Sequence, residues 1–206
     1  MKGKFIVFEG GERVGKSTCL SMLRAYAAEN PSAKPCVFTR EPGGGEIAER
    51  IREIILDGDY LGKISYHTEA LLYAAARCQH IDETILPALN AGKNVVCDRY
   101  IHSSFAYQGF ARGLGYDYIR EINSYAVKNC MPDAVIFFDL PPDAAFSRGG
   151  ETDRMENEKK EFHRAVYEGF EELKKREKNF FPIVPKGIEE TFFEVLVKLK
   201  GIGFFD

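Results

Sequence analysis

Gly10-Gly11-Glu12-Arg13-Val14-Gly15-Lys16-Ser17 (GGERVGKS) decides how the rest of this chain is read. The spacing is G-x-x-x-x-G-K-[ST]. It follows the apolar run Lys4–Glu9 (KFIVFE) directly and runs straight into a stretch of helical period, Thr18–Ala28. In that setting the glycines let backbone N–H groups curl around phosphate oxygens, and the helix N-terminus adds its partial positive charge. Gly10, Gly11, Val14, Gly15 and Thr18 are therefore expected to cradle a nucleoside triphosphate. Lys16 would reach its β- and γ-phosphates and Ser17 would hold Mg²⁺. Glu12 is read as acting on magnesium-bound water or on an acceptor, and Arg13 as neutralising charge that builds up during transfer. An exposed Glu–Arg pair is the plainer alternative for both.

Outward from the loop, short apolar runs alternate with longer helical stretches. Lys4–Glu9, Pro35–Thr39, Asn94–Asp98, Ala134–Leu140 and Asn179–Val184 read as strands, rich in Val, Ile and Phe as suits strands covered on both faces. Helices are expected near 16–28, 45–57, 66–90, 115–130, 142–147, 156–177 and 188–199. This alternation predicts a doubly wound α/β fold around a five-stranded parallel sheet.

The 206 residues favour one domain, 45% of them hydrophobic and 29% charged. A chain of this size buries roughly 70% of its unfolded surface and needs no staple. A net charge of −3 argues against a nucleic-acid coat or a polybasic membrane binder. No apolar run reaches the ~18–20 residues of a membrane span. The five cysteines lack clustered Cys or His partners, which excludes a zinc site and suits reduced thiols in the cytoplasm. The one compositional shift, Arg148–Lys160 (RGGETDRMENEKK), reads either as a solvated loop or as a lid beside the phosphate site. Gly201–Asp206 (GIGFFD) reads as a docking tail or a frayed end. The four histidines are assigned to helix surfaces or caps, and none to catalysis.

Three further clusters fall at or past strand ends, where open α/β sheets bind ligands. Thr39–Gly45 (TREPGGG) offers Arg40 and a glycine-rich turn in which Pro42 suits a constrained or cis bond. Asp98-Arg99-Tyr100 ends the third strand. Asp98 there suits a magnesium contact through water and Arg99 a planar fork for phosphate oxygens, the alternative being a buried structural ion pair. Tyr73 and Arg77, at i and i+4, share a helix face. Together they suit a planar base, although core packing plus a surface arginine would give the same spacing. Ser103, Ser104, Tyr107 and Gln108 add hydroxyls, a phenol and an amide. These clusters describe a second ligand with a phosphate, a base and a controlled sugar edge.

At this point the chain resembles the thymidylate kinase family of P-loop nucleoside monophosphate kinases. The resemblance rests on Glu9–Ser17 (EGGERVGKS), Thr39–Gly44 (TREPGG), Thr68–His80 (TEALLYAAARCQH), Asp98–Gly109 (DRYIHSSFAYQG) and Pro132–Arg148 (PDAVIFFDLPPDAAFSR). It implies a single three-layer P-loop NTPase domain over 1–206 with a short lid at about 148–160. It also implies Mg²⁺-dependent transfer of the ATP γ-phosphate to dTMP, and a homodimer formed through helix packing; the apolar face near 69–89 would serve for it, although its periodicity reads equally as core. By matching position, Arg40 and Arg99 would bind the dTMP phosphate, and Tyr73 would stack on thymine where the family usually has phenylalanine. Arg77 would meet thymine O4, Ser104 would sit near N3, and Gln108 would lie against base or sugar. Tyr107 would crowd the sugar 2′ position, and Glu12 would help place acceptor phosphate and magnesium.

The family supplies its catalytic arginine either from the loop or from the lid. This chain offers Arg13 in the loop and Arg148 and Arg154 in the lid stretch. Ala76 replaces an acid common before the base-binding arginine, so Arg77 is expected to be held less rigidly; Gly45 replaces a common threonine. Other small nucleotide or deoxynucleoside kinases are the nearest competitors. A nucleotide-binding switch is the alternative of another class, and it has no use for a second phosphate site.

Overall fold

A computed structural model describes residues 2–30, 34–147 and 154–205. Five parallel strands lie in the order β2-β3-β1-β4-β5: β1 (Phe5–Gly10), β2 (Cys36–Arg40), β3 (Asn94–Asp98), β4 (Ala134–Phe138) and β5 (Phe180–Ile183). The register sets Val7 beside Cys97 and Val135, and Phe8 beside Asp98 and Ile136. Side chains alternate between faces, and both faces are covered. Phe5, Val7, Val95, Cys97, Val135 and Phe137 enter one core, whereas Ile6, Phe8, Val96, Ile136 and Phe138 enter the other.

The second core is roofed by α1 (Lys16–Glu29) and α9 (Ile188–Gly201), through Cys19, Leu23, Val195 and Leu199. Phe204 and Phe205 are buried in it, and Asn94 Nδ2 donates to the Phe204 carbonyl at 3.2 Å, so the tail docks. Over the first core lie α3 (Tyr66–His80), a π-helical turn (Ile81–Ile85), α4 (Leu86–Asn90), α6 (Tyr116–Val127) and α8 (Lys160–Arg176). The short helix α7 (Pro142–Phe146) packs on α8, and α2 (Glu46–Leu56) packs on α3. The expected strands and longer helices are all present, with ends displaced by up to a few residues.

One helix was not expected. Residues after Arg99 form α5 (Ile101–Ser104), which continues into a π-helical segment, Phe105–Ala111. Paired serines and a glycine are poor helix formers, because serine competes for backbone hydrogen bonds. Tertiary packing overrides that preference: Gly169 of α8 lies so close that a Cβ there would meet Ala106 Cα at 3.0 Å. The histidines also depart from expectation. His80, His102 and His163 are buried, and only His67 is exposed. His80 bonds Thr39 and Glu41, while His102 packs on the Phe180 ring with its Nδ1 buried and unbonded among the described residues.

Candidate active site

The carboxyl ends of β1, β2 and β3 open into a cleft of about 830 Å³. The phosphate loop forms one end. Gly15 has φ 102°, a left-handed conformation open to glycine, and it delivers the chain into α1. Lys16 is buried at the first turn, and its Nζ donates to the carbonyls of Gly11 at 2.9 Å and Gly10 at 3.3 Å. Burial lowers its pKa, and the Arg99 charge adds to that. Ser17 and Thr18 stand exposed on the cleft wall.

Glu12 and Arg13 are not an exposed pair. Glu12 turns to Arg99, with Arg99 Nη2 donating to its Oε1 at 2.7 Å and the Tyr107 hydroxyl donating to the same atom at 2.7 Å. Burial alone would raise the Glu12 pKa, but Arg99 and Lys16 outweigh it and hold the carboxyl at about 2. Arg13 instead bonds Glu156 at 2.9 Å and lies over the Phe146 ring. Arg13 and Arg99 both adopt positive φ, 60° and 67°, a cost of order 1–3 kcal/mol each that their side-chain anchors must hold in place.

Arg99 also donates to the Gly10 carbonyl at 2.7 Å and to Ser103 Oγ at 3.2 Å, and its guanidinium lies 5.2 Å from the Tyr107 ring centroid. One planar fork thus joins phosphate loop, third strand and α5. Its ion-pair partner is Glu12 and not the neighbouring Asp98. Asp98 Oδ1 is buried without a hydrogen-bond partner among the described residues. Glu9, quoted in the loop motif but given no role, accepts from Ser103 Oγ at 2.6 Å and from the Tyr100 and Ser103 N–H groups. Burial pushes its pKa up to about 7 against those bonds and the Arg99 charge.

The other end of the cleft is lined by Arg40, Tyr73, Ser103, Ser104, Tyr107 and Gln108. Arg40 bonds Glu49 at 2.8 Å with half its side chain exposed, so it can turn to a ligand. Arg77 is 1% exposed and stands behind this wall. It is gripped at three nitrogens: Nε donates to Glu41 at 2.8 Å, Nη1 to Asn123 at 2.6 Å and Nη2 to Ser104 at 3.1 Å. The expectation that Ala76 leaves Arg77 loosely held is therefore corrected; the acid comes from Glu41, across the sheet end. Glu41 precedes a cis bond to Pro42, as the TREPGG turn suggested, and His80 Nδ1 lies 3.1 Å from its other oxygen. Gly44, at φ 85°, leaves no room for a Cβ, which would fall 2.4 Å from His80 Nε2.

Of the arginines named in the lid stretch, Arg148 lies outside the described residues. Arg154 is 2% exposed, with Nε donating to the Ile55 carbonyl and Nη2 standing 2.8 Å from Glu69, and the cleft wall does not include it. Met155 and Glu156 do line the cleft. Within the described part of this stretch Arg154 and Met155 are buried, whereas Asn157, Lys159 and Lys160 are exposed. Sequence reasoning missed Glu41, Glu69, Arg112 and Asn123, which hold site residues, and Arg52, which lines the cleft and bonds the Pro42 carbonyl at 2.8 Å. Glu69 was within reach: it precedes Tyr73 and Arg77 by four and eight residues on one broad face of α3. Nothing in the local sequence singles out Asn123.

No group of three or more His, Cys, Asp or Glu among the described residues could hold a metal by itself. One free carboxylate oxygen at Asp98 and the Ser17 hydroxyl instead fit Mg²⁺, which commonly binds through one or two protein oxygens plus substrate phosphates.

Comparison with known proteins agrees with this geometry. The family model described as thymidylate kinase matches residues 8–194. A thymidylate kinase of Finegoldia magna is 46% identical over 200 residues, covering 95% of this chain and 97% of the relative. One from Caldicellulosiruptor saccharolyticus is 44% identical, covering 97% and 96%. The crystal structure of thymidylate kinase from Ehrlichia chaffeensis superposes with a TM-score of 0.80 at 28% identity, covering 97% of this chain and all of that one. A phosphate loop and an acceptor wall meeting at one arginine, in a chain matched along nearly its whole length, identify the family: the chain belongs to the thymidylate kinases.

Proposed function

We propose that this enzyme transfers the γ-phosphoryl group of ATP to dTMP, giving ADP and dTDP for dTTP synthesis. The observation that carries the reading is the position of Arg99, which touches Gly10 and Glu12 of the phosphate loop and Ser103 of the acceptor wall in one cleft. ATP phosphates would lie on residues 10–18, with Lys16 released from the Gly10 and Gly11 carbonyls toward the β- and γ-oxygens. Ser17 and Asp98 would hold Mg²⁺, whose charge neutralises those oxygens.

The dTMP phosphate would lie between Arg99 and Arg40, thymine against Tyr73, and the deoxyribose against Tyr107 and Gln108. Ser104 and Arg77 form the back of the base pocket. Because the acceptor phosphate is already ionised, no strong general base is needed. An acceptor oxygen forms the new bond to phosphorus as the bond to the ADP oxygen breaks, in line. Lys16, Arg99 and Arg13 spread the charge of that transition state. Of the two described candidates, Arg13 is favoured over Arg154 for the transferring group, since Arg13 lines the cleft and Arg154 faces Glu69. Tyr107 excludes a 2′-hydroxyl by filling the space and by its bond to Glu12.

The test is ADP release with Mg-ATP and, in parallel, dTMP, dUMP, dCMP, dGMP, thymidine or no acceptor. Fast turnover with dTMP, weaker turnover with dUMP and almost none without acceptor is expected. ATP binding without turnover on any acceptor would return the chain to the switch class. A cytoplasmic location and a homodimer go with the same reading. No described helix is long and apolar enough to cross a membrane. Ile54, Leu71 and Tyr125 are exposed on α2, α3 and α6, which pack together. Light scattering should give twice the 23.3 kDa chain mass, and a monomer mass would remove the dimer.

A further inference from the structure

Outside the reacting centre, one fully buried carboxylate joins three parts of the chain. Glu69, in the first turn of α3, is 0% exposed. Its Oε1 accepts from Gln108 Nε2 at 3.0 Å and from Arg112 Nε at 3.1 Å. Its Oε2 accepts from Arg112 Nη2 at 3.1 Å and stands 2.8 Å from Arg154 Nη2. Arg112 lies between two rings, 4.7 Å from the Tyr66 centroid and 4.3 Å from that of Phe162, and reaches Glu158 at 2.7 Å.

Two carboxylates and two guanidinium groups balance, which is the condition under which buried charge persists. Burial works against ionisation of Glu69, and the bonds from Arg112 and Gln108 override it, so its pKa is lowered. The cluster touches the cleft on both sides. Gln108 is part of the acceptor wall, while Met155 and Glu156, between Arg154 and Glu158, line the phosphate side, where Glu156 bonds Arg13.

We infer that Glu69 and Arg112 are positioning residues for phosphoryl transfer, holding segment 154–158 in register with the acceptor pocket so that Gln108 and the Glu156–Arg13 pair are set by one shared carboxylate. The inference rests on the dTMP kinase reading. Because the residues touch neither proposed substrate phosphate, their loss acts through Gln108 and Arg13. An acceptor that packs on Gln108 steadies Glu69, hence Arg112 and Arg154, and so the segment that carries Glu156. Water then competes poorly with dTMP only when the acceptor is seated. A shift of about 1 Å in such a register costs as much as 10²-fold in rate.

The experiment compares wild type with Glu158→Gln and Glu69→Gln. It measures kcat, KM for dTMP, KM for Mg-ATP, and the ratio of ADP released to dTDP formed. Glu158→Gln removes one partly exposed carboxylate and leaves Glu69 with both arginines, so it keeps the test open if Glu69→Gln fails to fold. For Glu158→Gln we expect about a tenfold rise in KM for dTMP and about a tenfold rise in ADP released per dTDP, with KM for ATP within twofold of wild type. Glu69→Gln should move the same two quantities further. An unchanged ratio with unchanged KM for dTMP overturns the inference. So does a fall in kcat with both KM values and the ratio unchanged, which would mean only a smaller folded fraction. Wild type that releases no dTMP-dependent ADP overturns the kinase reading and the inference with it, whereas active wild type with indifferent variants sinks the inference alone.

Discussion

Lys16→Met is expected to lower dTMP-dependent turnover by about 10³-fold or more while leaving the fold intact. Lys16 is the buried ammonium at the start of α1, and among the described residues its Nζ donates to the loop carbonyls of Gly10 and Gly11, where the proposed triphosphate oxygens would arrive. Methionine keeps the length and apolar stem but removes the charge that, in the proposed mechanism, offsets the transition state. Stability should change little. Burial already disfavours the Lys16 charge, and Glu12 keeps Arg99 at 2.7 Å. The check is kcat at saturating Mg-ATP and dTMP, with thermal unfolding of the same preparation. Turnover within tenfold of wild type, on folded protein, would remove Lys16 from the chemistry.

Glu41→Gln should be strongly destabilising, costing about 3–5 kcal/mol. Glu41 is 4% exposed and, among the described residues, is the only carboxylate paired with Arg77, which is itself 1% exposed. A glutamine leaves the guanidinium buried with neutral Asn123 and Ser104 alone. For a domain of this size that loss lowers Tm by roughly 6–20 °C. Urea unfolding measures it, and the double variant Glu41→Gln with Arg77→Met distinguishes causes. If the unpaired charge is what costs, the second substitution should restore part of the stability, because the pair is then removed together. A loss under 1 kcal/mol for Glu41→Gln would mean that water or a rearranged partner reaches Arg77.

The phosphate loop was legible because its mechanism is local: glycine conformations, a preceding strand and a following helix all lie within a few residues of one another. The strands were legible for a similar reason. Continuous apolar runs such as NVVCD and AVIFF can be buried on two faces in few other ways. Residues 101–111 were not legible as a helix, since their serines and glycine speak against one and tertiary contacts carry them: α8 at Gly169, the first core, and bonds to Glu9 and Glu69. The grip on Arg77 was misjudged in the same way. Residue 76 was the place to look for an acid along the chain, yet Glu41 supplies it from a loop brought alongside by β2. Arg154 is offered by the sequence, with Arg13 and Arg148, as an arginine for the transferring group, and in the structure it stands beside Glu69.

The sequence alone determined the fold class, the glycine-rich loop end of the cleft and the family, because each depends on residue types at short fixed spacing. Tertiary structure decided who pairs with whom. Glu12 takes Arg99 and not Arg13, Arg77 takes Glu41, and Glu69 gathers Gln108, Arg112 and Arg154. A buried charge must find its partner wherever the fold brings one within about 3 Å, and that distance bears no relation to separation along the chain.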